Sequence, residues 1–338
     1  MITTGRYERG PASSAVAILG TGSWLPSHVV TNDEVGAPAG VDHDWILGKT
    51  GIRERRWAKP DEATSDLAAA AGLAALEAAG ILGSELSLVV VATSTPDQPQ
   101  PPTASAVADA VGAGFGTTAF DLNAVCSGFV FALAAAERML RGTDGYALVI
   151  GADIYSRILD RHDRRTTILF GDGAGAVVLG PADGTGRMHG ARLTGFGADR
   201  DLIQVPAGGS RLPASEQTLR EGMHHFVMNG RAVRDFVAQQ VPPAISMFLA
   251  DNGMRPQDVD HFVPHQANGR MLENLARGVG IPLDRTHTTF EEYGNTGSAS
   301  VPVTLDRAAR SGAVKQGDLV LLAGFGGGMA MGLALLTW

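Results

Sequence analysis

Apolar positions along the chain fall into short runs that alternate with longer stretches of helical period. Ala15-Val-Ala-Ile-Leu-Gly20, Leu86-Ser-Leu-Val-Val-Val-Ala92, Thr117-Thr-Ala-Phe-Asp-Leu122, Ala147-Leu-Val-Ile150 and Gly175-Ala-Val-Val-Leu-Gly180 have the length and apolar content of buried strands. Gly20-Thr-Gly-Ser-Trp-Leu-Pro26 then reads as the turn that ends the first strand. Helical signals lie between the runs. Thr31-Asn-Asp-Glu34 caps a short helix, and Thr64-Ser-Asp66 precedes a long alanine-rich one that buries Leu67, Ala71, Ala74 and Leu76. Another helix is expected from about Ala104 to Val111. After Cys126, residues Phe129, Leu133, Ala136, Met139 and Leu140 recur at the spacing of one helix face.

The same grammar returns in the second half. A helix over 232–250 leads to Val259-Asp-His-Phe-Val263, which matches Leu86–Val90 at an offset of 173, and Leu319-Val-Leu-Leu322 matches Ala147–Ile150 at 172. Two independent strands with nearly one offset predict a duplicated α/β unit, residues 15–185 and 220–338. Residues 186–219, rich in Gly, Pro and polar side chains, are the expected connection, and 1–14 a flexible N-terminal extension. Strands separated by helices predict largely parallel pairing in a layered α/β fold.

Composition narrows the function. No apolar run reaches the roughly 18 residues of a membrane span, and the N-terminus lacks the apolar stretch of a signal peptide. A net charge of −8 argues against nucleic acid as a partner. One cysteine excludes an internal disulfide and any multi-cysteine metal site, so a reducing cytoplasm is the expected home and no metal is expected.

The single cysteine falls on a strand-to-helix turn, Asp121-Leu-Asn-Ala-Val-Cys126-Ser-Gly-Phe. Helix-end N–H groups and the positive end of the dipole there favour thiolate. His265 follows a strand, at the end where α/β sheets commonly place ligand sites. Asn295 lies between turn-forming residues in Tyr293-Gly-Asn-Thr-Gly297. Ala323-Gly-Phe-Gly-Gly-Gly-Met329 allows backbone N–H groups to approach a ligand closely. Cysteine, histidine and asparagine fit either a papain-like hydrolase, whose flanking signature is absent, or a pair of donors aimed at a thioester oxygen that gains charge when a malonyl group loses CO2.

Cys126 within Ala-Val-Cys-Ser-Gly-Phe, His265 within Pro-His-Gln-Ala-Asn and Asn295 within Gly-Asn-Thr-Gly-Ser together resemble β-ketoacyl-ACP synthase III, the initiating condensing enzyme of thiolase fold. Trp45-Ile-Leu-Gly-Lys-Thr-Gly-Ile-Arg-Glu-Arg55, Phe170-Gly-Asp-Gly-Ala-Gly-Ala-Val177 and Phe325-Gly-Gly-Gly328 extend the resemblance over about residues 15–338. The resemblance implies an α/β, internally duplicated, five-layered α-β-α-β-α architecture in an obligate homodimer, and no cofactor beyond the substrates acyl-CoA and malonyl-ACP. It implies ping-pong chemistry, in which Cys126 takes an acyl group from acyl-CoA. His265 and Asn295 then hold the malonyl thioester during decarboxylation, and 3-ketoacyl-ACP leaves. Backbone N–H groups of Cys126 and Gly327 would form the oxyanion hole. Trp45, Lys49, Arg164, Asn268 and Arg270 fall at CoA- or carrier-binding positions.

Four departures qualify the resemblance. Lys49 stands where Arg is frequent, keeping the charge but not the bidentate fork. Arg234-Asp235 removes one cation from the carrier-docking face. Gly269, beside Arg270, replaces a usual leucine and would loosen it. Gln100 aligns with the position that closes the acyl pocket across the dimer, which leaves two readings: exposure to solvent, or a polar contact to an unusual acyl chain. The second predicts a starter pocket not tuned only to acetyl. A non-condensing acyltransferase of specialised metabolism, passing the acyl group to a hydroxyl, amine or carrier thiol, is the alternative function.

Overall fold

The computed structural model describes residues 15–182, 184 and 186–338; the expected N-terminal extension lies outside them. The first half contains strands β1 (Val16–Trp24), β2 (His28–Thr31), β3 (Glu54–Trp57), β4 (Leu86–Ala92), β5 (Thr118–Leu122), β6 (Tyr146–Asp153) and β7 (Gly173–Pro181). Its helices are α1 (Asn32–Gly36), α2 (His43–Thr50), α3 (Thr64–Ala79), α4 (Thr103–Ala110) and α5 (Gly128–Leu140). There follow β8 (Arg187–Gly195), β9 (Ile203–Gln204), α6 (Glu216–Arg220), β10 (Val227–Met228), α7 (Gly230–Asp251), β11 (His261–Pro264), α8 (Gly269–Val279), α9 (Phe290–Tyr293), α10 (Ser300–Arg310), β12 (Leu319–Gly326) and β13 (Ala330–Thr337).

Two sheets carry the architecture, one in the order β1-β7-β6-β4-β5 and one in the order β11-β12-β13-β8. Helices α5 and α10 lie between them, and Phe129, Leu133, Val301 and Leu305 share one buried cluster with strand residues from both sheets. Helices α3 and α4 cover the outer face of the first sheet, and α7 and α8 cover that of the second. The result is the five-layered α-β-α-β-α fold. Burying a helix on all sides requires an apolar circumference. Helix α5 meets this with Phe129, Val130, Ala132, Leu133, Ala136 and Leu140.

The duplication is visible in register. Parallel β4 and β6 followed by antiparallel β7 correspond to parallel β11 and β12 followed by antiparallel β13. A 3-10 turn at Val125–Ser127 leads into α5, and another at Gly297–Ala299 leads into α10, an offset of 172.

Three expectations are corrected. Pairing is mixed rather than largely parallel, because β12 and β13 are joined by a tight turn and β1 and β7 run antiparallel. The stretch 186–219 is not simply a connection. Its first part is β8, an antiparallel edge strand on β13, partly exposed along most of its length as an edge strand is. Finally, β1 continues through Gly20-Thr-Gly22, where a turn is expected. Those glycines admit α3, since a Cβ on Gly22 would lie 2.4 Å from the Ala71 carbonyl oxygen.

Candidate active site

Strand β5 ends at Leu122, and the chain turns at Val125 with φ of 48°, a left-handed conformation that is costly for a β-branched residue. The strained turn places Cys126 at the head of α5, buried and against Gly326, where an added Cβ would come 3.1 Å from the sulfur. Gly327 packs on the Val125 side chain at the same spot, and its backbone N–H bonds the thiol. That is the geometry expected of Cys126 and Gly327.

The electrostatics differ from the expectation that the turn favours thiolate. Burial pushes the Cys126 thiol up to about 12, and the neighbouring Asp153 carboxylate adds to this, while the Gly327 N–H and the Tyr155 hydroxyl oppose it. Desolvation outweighs these donors because the sulfur has lost its water while only a few groups replace it. The resting nucleophile is a neutral thiol.

His265 follows β11, accepted into the sheet by its own N–H to the Ala323 carbonyl at 2.7 Å. Its ring meets Phe325 edge-on with centroids 5.4 Å apart, and Nδ1 lies 2.7 Å from Ser300 Oγ. The ring also bonds the Gly297 backbone. Burial lowers its basicity to about 3, so the imidazole is neutral at pH 7. Asn295 is fixed by its backbone, donating to the Leu169 carbonyl at 2.8 Å and accepting from Gly171 N–H at 3.0 Å. Its Oδ1 accepts from Gly297 N–H at 2.9 Å. This assigns the amide: oxygen inward to the turn, Nδ2 outward as a donor.

Cys126, His265 and Asn295 line one cavity of about 210 Å³, together with Asn268, whose side chain also caps α8 by accepting from Met271 N–H at 3.0 Å. The lining of this cavity includes Phe170 and Phe226, which pack with Tyr155 in a ring cluster with centroids 4.5–5.5 Å apart. The residue motifs carry no sign of Tyr155, because its proximity to the sulfur depends on where β6 ends.

The remaining expected residues lie at the surface. Trp45 and Arg164 line a separate open cavity of about 430 Å³, with Arg164 5.7 Å and Lys49 6.0 Å from the Trp45 ring centroid. Arg270 is not loosened by Gly269. A side chain at 269 would collide with Phe290, 2.7 Å away, and Arg270 instead donates to the Gly48 carbonyl, tying α8 to the helix that carries Trp45 and Lys49. Arg234 pairs with Asp235 at 2.9 Å. Gln100 is exposed in the single chain and does not line the Cys126 cavity.

Residues 120–195 match the family model described as 3-Oxoacyl-[acyl-carrier-protein (ACP)] synthase III, and residues 249–338 match its C-terminal model. The chain is 45% identical over 326 residues to the β-ketoacyl-[acyl-carrier-protein] synthase III of Erythrobacter litoralis strain HTCC2594, covering 95% of this chain and 99% of the relative. It belongs to the β-ketoacyl-ACP synthase III family. It is accordingly an enzyme of the condensing transferase class. Within and around this family it is 57% identical over 323 residues to the acetoacetyl CoA synthase NphT7 of Streptomyces sp. strain CL190, covering 95% and 98% of the two chains. Among solved structures, the priming β-ketosynthase of the R1128 polyketide pathway superposes with a TM-score of 0.89 at 35% identity, covering 98% and 99%. The synthase III of Aquifex aeolicus VF5 gives 0.87 at 34%, covering 96% and 100%. No helix of the described residues is long and apolar enough to cross a membrane.

Proposed function

We propose that the chain joins an acyl-CoA starter to a malonyl thioester by decarboxylative Claisen condensation, through an acyl-Cys126 intermediate. The observation that carries this reading is the commitment of Asn295 Oδ1 to Gly297 N–H, which leaves Nδ2 as a donor beside His265 Nε2 in the cavity that holds Cys126. With Ser300 Oγ donating to Nδ1 and the proton on Nε2, both groups are neutral donors, which stabilise the enolate that forms as CO2 departs without a charge that would bind the ground state equally well. A non-condensing acyltransferase has no use for such a pair. The carbanion then attacks the acyl-Cys126 carbonyl. The oxyanions of both half-reactions face the backbone N–H groups of Cys126 and Gly327. The aromatic wall of Phe170 and Phe226, backed by Tyr155, supports a short starter rather than the wider starter range suggested by Gln100. Trp45, Lys49 and Arg164 would hold the nucleotide end of CoA, with Asn268 in the Cys126 cavity and Arg270 on the Gly48 carbonyl between α2 and α8.

Malonyl-ACP is the first acceptor, in keeping with relatives named as β-ketoacyl-[acyl-carrier-protein] synthase III. Malonyl-CoA is a second acceptor, favoured by the state of the docking cations: Arg234 is neutralised by Asp235 and Arg270 is held on Gly48. An acidic carrier gains little from such a face. The enzyme is read as a cytoplasmic homodimer, with β5 an edge strand of its sheet and Phe115 fully exposed beside it.

Intact mass spectrometry of acyl-enzyme mixed with malonyl-ACP, or with malonyl-CoA, tests the whole reading. Conversion of one acceptor to its 3-ketoacyl form with loss of CO2 supports condensation and names the acceptor. An acyl group that stays on Cys126 with both acceptors untouched would sink it.

A further inference from the structure

The turn that carries His265 is joined to the segment that leads to Asn295 by one side chain that does not line the cavity. Gln266 is fully buried. Its Nε2 donates to the Pro264 carbonyl at 2.8 Å and to the His287 carbonyl at 3.2 Å. Its Oε1 accepts from Thr289 N–H at 2.8 Å and from Phe290 N–H at 3.3 Å. Two carbonyls on one side and two N–H groups on the other fix which amide atom is which, and both amide hydrogens are spent.

The two N–H groups belong to the start of α9, where helical geometry leaves the first amides without partners. Thr289 holds the cap position, but its side chain does not serve there. Thr304 Oγ1 donates to the Ser300 carbonyl at 2.7 Å, so the Thr289 hydroxyl, also 2.7 Å from Thr304 Oγ1, gives its one hydrogen to Thr304. Gln266 therefore caps α9 from the end of β11. From that cap the chain has little slack before the donor. Tyr293 N–H bonds the Thr289 carbonyl at 3.1 Å, Gly294 N–H bonds the Phe290 carbonyl at 2.9 Å, and Asn295 follows. On the other side, the Pro264 carbonyl immediately precedes His265.

We propose that Gln266 is a positioning residue for the condensing step, which sets the separation and aim of His265 and Asn295 so that both reach the one oxygen that becomes the enolate. This deepens the condensing reading above and rests on it. Two donors share one developing charge only when both lie within hydrogen-bond distance of it, and a displacement of about 1 Å costs on the order of 10²-fold. None of these four bonds involves the turn at Val125–Ser127 or the backbone of Gly326 and Gly327, which place Cys126. Acyl transfer to the thiol therefore does not depend on Gln266. A side chain that served only the stability of the fold would slow both half-reactions alike, or neither.

Gln266→Met keeps the length of the side chain and removes all four bonds. Decarboxylation of a malonyl thioester by the acylated variant should lose about 10²-fold in kcat with KM within about threefold of the parent. CoA release in a single acylation turnover should stay within about twofold. Gln266→Glu, read in the same way, keeps an acceptor for the head of α9 and stands in if the first variant does not fold. Its ionised carboxylate donates to neither carbonyl, whereas the protonated form donates to one. Its condensation rate relative to the parent should rise as pH falls through that titration, which burial places above the usual carboxyl range, while its acylation keeps the parental pH profile. Parental decarboxylation in the folded variants, or equal losses in both half-reactions, would overturn the proposal. A parent enzyme that takes up the acyl group but leaves malonyl thioesters intact would instead sink the condensing reading, and this role with it.

Discussion

The turns at Val125–Ser127 and Gly297–Ala299 occupy equivalent places in the two halves, yet one contains the nucleophile and the other, with Ser298 at that place, anchors the amide of Asn295 just ahead of it through Gly297 N–H. Both open with a residue in left-handed backbone, Val125 at φ 48° and Gly297 at φ 59°. Their neighbours explain the different choice. A Cβ on Gly297 would meet Asp153 Oδ2 at 2.4 Å and Tyr155 at 2.5 Å, so only glycine fits. Val125 instead has the Gly327 backbone against it, and its branched side chain braces the loop whose N–H faces the sulfur. Strain is accepted where it positions the attacking atom and avoided where a buried carboxylate already fills the space. A duplicated fold thus supplies two equal platforms, and packing behind each decides what chemistry it carries.

The strongest way to separate the two turns is to remove each functional side chain. Cys126→Ser should abolish acylation, a loss on the order of 10⁶-fold as for other removed nucleophiles, read as CoA release. Asn295→Ala should leave acylation near the parental rate and cut condensation about 10²- to 10³-fold, since its donor acts only on the developing enolate. Equal losses in both half-reactions would show that the second turn also serves the nucleophile.

Backbone substitutions sharpen the contrast. Gly297→Ala should lower stability by about 2–4 kcal/mol, from left-handed strain plus overpacking against Asp153, measured by denaturant midpoint. Val125→Gly should change stability by under about 1 kcal/mol, strain relief opposing lost packing, while slowing acylation.

Acid sensitivity gives a smaller test. The His265 imidazole is depressed to about 3 by burial, so the unfolded chain takes up this proton first as pH falls. Its contribution to stability is present above pH 6.5 and is lost progressively toward pH 3. The loss is about 2 kcal/mol by pH 5. His265→Gln should remove that part of the pH slope between 5 and 7; an unchanged slope would place the sensitivity elsewhere.

Much of this molecule was legible in the chain. Strand β4 begins and ends where its apolar run does, and the offset of 172–173 anticipated the paired turns because side-chain period and repeat spacing are properties of the chain itself. Local signals were less reliable where the outcome depended on a distant partner. Gly20 and Gly22 read as a turn until α3 lay across them, and 187–195 read as a connection until β13 offered an edge. Candidate chemistry divides the same way. Residue type and motif pointed to Cys126, His265 and Asn295, and the turn before α5 was anticipated. Proton affinity was not: the helix dipole visible in the sequence favours thiolate, but dehydration and Asp153, which arrive only with the tertiary structure, reverse it. Tyr155 lies 29 positions beyond the cysteine and reaches it only because β6 ends behind α5. The sequence alone determined which elements form and which groups can react. Tertiary packing decided which groups meet and in what protonation state, because burial and long-range contacts have no local code.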